Sequence, residues 1–248
     1  MVSALSSEQH ERYVRNIDVP GIGIEGQLQL LNASVLVIGA GGLGSAALPY
    51  LAGAGVGRIG VVDGDQVELK NMQRQVLHTE IGRNKAESAA ERLVALNPDV
   101  TVDVYSEYLT LERGKELFTQ YDLVLDCTDK FGAKFLISDA AEAVSARLVW
   151  ATATGMQSQC SVFGVPDRDG ERLYLRDLHP VEPEEGTYPQ ATDIGILGAN
   201  VAQVGALQAC EAIKLITGIG EPLVGRVLIL DARNARWDVL PLRRARRK

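Results

Sequence analysis

Three groups of residues in this chain have the types and spacing to do chemistry together. Val35-Leu36-Val37-Ile38-Gly39-Ala40-Gly41-Gly42-Leu43-Gly44 joins four β-prone residues to a glycine turn and the start of a helix. Such a turn brings backbone N–H groups up to a phosphate with no Cβ in the way. Asp63 closes the next apolar run, so Gly39-x-Gly41-x-x-Gly44 followed by an acid also reads as a dinucleotide fingerprint. Asn71-Met72-Gln73-Arg74-Gln75 and Gly82-Arg83-Asn84-Lys85 come next, and Asp129 follows the run Leu123 to Cys127. In an open α/β sheet ligands bind beyond the C-terminal strand ends, where Arg74 and Lys85 can converge on anions held by the turn. A carboxylate among such cations makes sense as a magnesium ligand, because Mg²⁺ is held by one or two carboxylates plus phosphate oxygens. Asp63, Asn71, Arg74, Lys85 and Asp129 therefore have the character of a triphosphate site with a metal, which a nicotinamide site does not need.

Each of these residues also has a plainer reading. Arg12 and Arg15 fit a solvated helix face, and Asp129 fits a cap for a helix beginning near Phe131. Lys85 at a helix start opposes the helix dipole, which favours a bound anion over surface decoration. His78 reads as a satisfied polar residue, and His10 and His179 carry no catalytic signal.

The elements that must position these groups follow from periodicity and turn residues. Ser6-Ser7-Glu8-Gln9 opens a helix to Arg15 through a capping box, and a second short helix spans Glu25 to Leu31. Strand Ser34 to Ile38, helix Gly42 to Ala54 and strand Arg58 to Asp63 make one βαβ unit. Helix Asn84 to Leu96, strand Val100 to Tyr105, helix Glu112 to Thr119, strand Leu123 to Cys127, helix Phe131 to Ser145 and strand Leu148 to Trp150 continue the alternation. A longer strand Gln157 to Val165 and a functional loop or partner-binding crossover, Pro166 to Ile194, follow. Helix Gly198 to Thr217 and strands Arg226 to Leu230 and Arg236 to Leu240 close the chain. The pattern predicts an α/β, Rossmann-like doubly wound, mainly parallel sheet continued by antiparallel strands, with helices on both faces. The expected organisation is one domain over 1–248, with N-terminal helices at 6–32, a nucleotide-binding part at 33–150, a second part with the crossover at 151–242 and a basic tail at 243–248.

Composition sets the outer bounds. The 248 residues are 46% hydrophobic, enough for a real core. There is no secretory core at the start and no run long enough for a membrane span, so the reading is cytoplasmic with no membrane partner. Cys127, Cys160 and Cys210 are isolated in apolar sequence and read as reduced and buried; no CxxC pair offers a thiolate zinc site. Net charge is −7, and an acidic body argues against a nucleic-acid partner despite the basic end, which reads as solvated and frayed.

The ordered set Arg12-Tyr13-x-Arg15-x-Ile17, Gly39-x-Gly41-Gly42-Leu43-Gly44, Asp63-x-Asp65, Asn71-x-Gln73-Arg74-Gln75, Lys85 and Asp126-Cys127-Thr128-Asp129 resembles the signature of the MoeB/ThiF family, bacterial relatives of ubiquitin-activating enzymes. The resemblance runs from about Ser7 to Asp238. It implies an ATP- and Mg²⁺-dependent adenylyltransferase acting on the C-terminal Gly-Gly of a ubiquitin-like sulfur-carrier protein (MoaD/ThiS type), for molybdopterin, thiamin or tRNA-thiolation sulfur transfer. It further implies that Gly39, Gly41, Gly42 and Gly44 form the nucleotide turn, with Gly42 on the phosphates, and that Asp63 holds the ribose. Asn71, Arg74 and Lys85 would contact phosphates, Asp129 would bind Mg²⁺, and Asp65, Gln73 and Lys130 would complete the nucleotide set. Arg15 is similar to an arginine that reaches into a neighbouring subunit's site, which implies a homodimer; Arg15, Arg74, Lys85 and Asp129 form the implied catalytic set.

The chemistry agrees with that inventory. A terminal carboxylate, with an ordinary pKa of about 3.5, is already ionised and needs no general base. Bringing two anions together is the difficulty, and cations supply the remedy.

Three departures from the family pattern stand out. Tyr174-Leu175-Arg176-Asp177 occupies the place of a usual CxxC pair and Trp237 to Lys248 has no cysteine, so no zinc is expected. Ala191, in Gln190-Ala191-Thr192-Asp193, stands at a crossover-loop cysteine position, which implies a reaction ending at the acyl-adenylate and a separate sulfur donor. Lys130 replaces the usual asparagine, leaving open an added phosphate contact or an altered nucleotide preference. The competing readings are an NAD-dependent oxidoreductase, carried by the glycine turn and Asp63 alone, and a non-catalytic carrier-binding homologue.

Overall fold

A computed structural model describes residues 1–184, 186–187 and 191–244. Helices α1 (Ser7–Ile17) and α2 (Gly23–Asn32) precede the sheet. In the expected capping box the Ser6 hydroxyl accepts from the Gln9 N–H and the Gln9 side chain accepts from the Ser6 N–H, both at 3.1 Å. The alternating segment follows as β1 (Ser34–Ile38), α3 (Gly42–Ala54), β2 (Arg58–Val62), α4 (Lys85–Leu96), β3 (Thr101–Tyr105), α5 (Leu111–Phe118), β4 (Leu123–Asp126), α6 (Phe131–Val144) and β5 (Leu148–Thr154). Then come β6 (Gln157–Phe163), the one-turn helices α7 (Leu175–Leu178) and α8 (Ala191–Ile194), the long α9 (Gly198–Thr217), β7 (Arg226–Asp231) and β8 (Arg236–Pro241).

Among the described residues one sheet carries all eight strands in the order β3-β2-β1-β4-β5-β6-β7-β8. The pairs from β3 to β5 are parallel and those from β5 to β8 antiparallel. This is the α/β, Rossmann-like sheet that the alternation predicts. Because strand side chains alternate faces, Val35 and Val37 enter one core with α3, α4 and α9, while Leu36 and Ile38 enter the other with α5, α6, Trp150 and Phe163. Strands buried on both faces account for the continuous apolar runs.

Several details differ from the expectation. β5 runs past Trp150 to Thr154 because seven of its residues pair with β6, and its polar Thr152 and Thr154 are only half-buried. An apolar-run criterion stops short of such residues. Cys127 and Cys160 are buried as expected, but Cys210 is exposed; it shares with Gln203 the solvent side of α9. In the basic end, Arg244 pairs with Glu171 rather than fraying, and residues 245–248 lie outside the described residues. So does Gln190, beside Ala191. Among the described residues no helix is long and apolar enough to cross a membrane.

Candidate functional site

The glycine turn joins β1 to α3 at the C-terminal edge of the sheet, and each glycine there has its own reason. Gly39 has φ +95°, and a Cβ on it would lie 2.9 Å from the Cys127 carbonyl oxygen. A Cβ on Gly44 would lie 2.2 Å from the Gly39 carbonyl oxygen, and one on Gly42 would lie 2.8 Å from Val201 Cγ1. The Asp63 carboxylate braces the turn by accepting from the Ala40 N–H and the Asp65 N–H, both at 2.8 Å. Burial pushes the Asp63 pKa up, against the lowering effect of those N–H groups and of the Lys85 charge.

Arg74 and Asn71 follow a single 3-10 turn, Leu69–Asn71. The Arg74 guanidinium approaches Asn71 Oδ1 at 3.4 Å, and its aliphatic stem lies 3.6 Å from the Cβ position of Gly42. Gln73 is exposed, yet its carbonyl oxygen would be 2.6 Å from a Cβ on Gly198, so the start of α9 closes against this segment. Gln75 is buried with Oε1 unpartnered among the described residues, and its Nε2 lies 3.5 Å from the Cβ position of Gly41.

Lys85 corrects one sequence argument. Asn84 caps α4 through Ala86 and Glu87, and the Lys85 side chain, 6% exposed, places Nζ 2.8 Å from Asp65 Oδ2. A carboxylate of the chain itself thus answers the unfavourable helix-dipole placement. The other oxygen of Asp65 accepts from the exposed Tyr108 hydroxyl at 2.6 Å. Burial would raise the Asp65 pKa, but the bonds from Lys85 and Tyr108 and the charges of Lys85 and Lys130 outweigh it and lower it. An ammonium has three N–H donors, and among the described residues Asp65 takes one of them.

Asp129 is exposed at the end of β4, with no hydrogen bond or ion pair among the described residues. Lys130 is the N-cap of α6 and no side chain caps that helix, so the capping alternative for Asp129 does not hold. Beneath it lies a buried network the sequence reading missed. Asp126 accepts from Thr128 N at 2.9 Å and Oγ1 at 2.6 Å, Lys134 Nζ sits 3.4 Å from its carboxylate, and Lys134 donates to the Ala151 carbonyl at 2.6 Å. Its only sequence signal is a lysine inside an apolar helix. His78 is the satisfied polar residue expected: buried, it spans the Ala40 carbonyl and Ser88.

Arg15 lies apart from all of these. Its neighbours Tyr13 and Asn16 pack on the C-terminal end of α3: a Cβ on Gly55 would meet the Tyr13 ring at 2.7 Å, and Asn16 approaches the Ala54 carbonyl at 3.4 Å. The 13 residues of α3 span about 20 Å, which separates Arg15 from Gly42 at the other end. The Arg15 side chain is 91% exposed. A second feature of the C-terminal edge is a cleft of 720 Å³ between Thr154–Gln157, Ile194–Leu197 and the β7–β8 hairpin residues Asp231, Arg233 and Asn234. Among the described residues no three His, Cys, Asp or Glu side chains gather around a common point.

Comparison with known proteins gives the family. The ThiF family pattern matches residues 13–248. The chain belongs to the ThiF family. It is 45% identical over 244 residues to the "probable adenylyltransferase/sulfurtransferase MoeZ" of Mycobacterium tuberculosis, covering 98% of this chain and 62% of that protein. It is 43% identical over 242 residues to the "sulfur carrier protein adenylyltransferase" of Thermus thermophilus, covering 96% of this chain and 89% of that one. Solved structures share the ThiF-type fold at lower identity. A crystal structure of PaaA superposes with a TM-score of 0.79 at 23% identity, over 98% of this chain and 76% of that one. E. coli MccB crystallised with ATP gives 0.76 at 19%, over 97% and 73%.

Proposed function

We propose that this ThiF-family chain is an ATP-dependent adenylyltransferase that activates the C-terminal glycine of a ubiquitin-like sulfur carrier as an acyl-adenylate. The observation that carries the reading is the meeting of Arg74 with Gly42 at the mouth of the glycine turn, on the strand edge that also bears Asp63, Lys85 and Asp129. The relatives named as adenylyltransferases support the same chemistry.

In this reading the Gly41 and Gly42 amides face the phosphates, and the free lone pairs of Asp63 accept from the ribose hydroxyls. Asn71, Gln73, Arg74, Lys85 and Lys130 surround the triphosphate, with Asp65 holding Lys85 in place. Asp129, open and unpartnered, suits Mg²⁺, which typically takes one or two carboxylates alongside phosphate oxygens; the ion supplies positive charge to the triphosphate. The carrier's ionised carboxylate oxygen attacks the α-phosphorus and the bond to pyrophosphate breaks. Neither step needs a general base, so the work of the site is positioning and neutralisation. The cleft beside Gly155 and Gly195 receives the carrier's Gly-Gly tail. Arg15, too far to serve its own subunit, acts across a homodimer, and a separate donor supplies sulfur once the adenylate has formed.

Incubation with Mg-ATP and candidate carriers, read by ATP–pyrophosphate exchange, tests the activity. Exchange that appears only with a carrier ending in Gly-Gly supports it. Stabilisation by NAD with no exchange supports the oxidoreductase alternative, and tight carrier binding without exchange supports the non-catalytic one.

A further inference from the structure

Three side chains from one segment, Arg74, Gln75 and His78, close on the three turn residues Gly42, Gly41 and Ala40. His78 is the most constrained of them. It is 1% exposed, its Nε2 lies 2.7 Å from the Ala40 carbonyl oxygen, and its Nδ1 lies 3.0 Å from Ser88 Oγ on α4. A carbonyl oxygen only accepts, so Nε2 carries the proton. In the neutral ring Nδ1 then accepts from the Ser88 hydroxyl. Burial lowers the His78 pKa and the Lys85 charge adds to that, while the Ala40 carbonyl and Asp63 oppose it. The neutral ring is therefore the form that matches both bonds.

The Ala40 carbonyl and the Gly41 N–H belong to one planar, trans peptide and point in opposite directions. Drawing the carbonyl inward onto His78 turns the Gly41 N–H away from the core. That N–H makes no hydrogen bond among the described residues. On the other side of Ala40, the N–H of the preceding peptide is held by Asp63 Oδ2 at 2.8 Å. Both peptide planes flanking Ala40 are thus fixed, and a flip of the second would aim a carbonyl oxygen at any anion seated on the turn.

We infer that His78 is a positioning residue for the nucleotide-binding turn: its Nε2–H locks the Ala40–Gly41 peptide with the Gly41 N–H directed at the bound phosphate. The inference rests on the nucleotide reading above. It makes His78 act through the backbone, without touching the ligand, and ties the turn to α4, the helix that begins with Lys85.

Two amide replacements separate the ends of the ring. The side-chain N–H of His78→Gln takes the place of Nε2–H, whereas His78→Asn places its amide near Nδ1 and leaves the Ala40 carbonyl bare. Mg-ATP affinity by calorimetry and the melting temperature are measured on the full chain for both variants, His78→Leu and Ser88→Ala. Asn and Leu should weaken Mg-ATP binding by about tenfold or more, while Gln and Ser88→Ala stay within about threefold of the unmodified chain. Asn binding as tightly as Gln would overturn the inference, as would melting temperatures that fall in Asn and Leu with Mg-ATP affinity unchanged. Should Leu fail to fold, the Gln and Asn pair decides alone. An unmodified chain that binds no Mg-ATP overturns the nucleotide reading and this inference together; one that binds it equally in every variant overturns only the inference.

Discussion

The parallel half of the sheet and the antiparallel half solve different problems. In the parallel half β1, β2 and β4, the strands that carry the site, are buried on both faces, and the glycine turn admits no Cβ at Gly39, Gly42 or Gly44 without a clash. Its polar groups are held by short bonds to the backbone, as with Asp63 and His78. In β7-β8 the strands are half-exposed: Trp237, Val239 and Leu240 lie open, and Arg233 stands exposed at the cleft without an ion pair among the described residues. In the proposed function the first region holds a small polyanion in one geometry. The second offers a surface whose meaning depends on the shape of a partner.

The largest predicted effects fall on Asp129 in the first region and on Arg15, which lies apart from it on α1. Arg15→Ala should lower exchange by roughly three orders of magnitude, the scale of a trans-acting arginine in related NTPase chemistry. Its melting temperature should not move, because the side chain is solvated. Mixing Arg15→Ala with Asp129→Ala subunits should restore activity if Arg15 serves the neighbouring site; mixtures as inactive as their parents would remove the trans role.

Next comes the network beneath Asp129. Lys134→Met takes the partner cation away from the fully buried Asp126, which should cost about 3–5 kcal/mol in chemical denaturation. A loss below about 1 kcal/mol would mean that the pair does not shape this end of β4.

The buried His78 and the half-buried His179 then compare two parts of the chain through pH. Burial lowers both pKa values, with His78 beside the turn and His179 edge-on to Phe131 in the crossover. The unfolded chain therefore binds more protons once pH drops below the ordinary imidazole value of about 6.5. Stability should rise with pH through that range and fall toward pH 5. His179→Phe should flatten part of the slope in melting curves, and an unchanged slope would rule His179 out. Asp63 has the opposite sign: its raised pKa makes its charged form a penalty that grows as pH climbs through the carboxylate range.

The smallest effect belongs to the second region. Arg233→Ala should raise the carrier KM several-fold and leave Mg-ATP affinity unchanged. A change in nucleotide affinity instead would place Arg233 with the first region.

Legibility in the sequence follows the same division. The alternation of strands and helices, the glycine turn and the shared edge of Asp63, Arg74, Lys85 and Asp129 could be read because local patterns and right-handed crossovers leave little choice. The extension of β5, the α7 and α8 turns and the exposure of Cys210 could not, since they arise from pairing and packing between distant segments. Lys85 teaches the same point inside the site. Its helix-start position was visible, but its partner Asp65, across the β2–α4 connection, was not. His78 could be read as a satisfied polar residue, but its partners, a backbone carbonyl and a serine on α4, leave no motif that would name them.

The central claim is that the glycine turn serves a nucleotide that is consumed. Intact-mass analysis of a carrier ending in Gly-Gly, after incubation with this protein and Mg-ATP, tests it most directly. A carrier heavier by one AMP together with released pyrophosphate is the expected result, with neither product when Asp129→Ala replaces the unmodified chain. A carrier of unchanged mass, with ATP intact and NAD stabilising the protein, would contradict it.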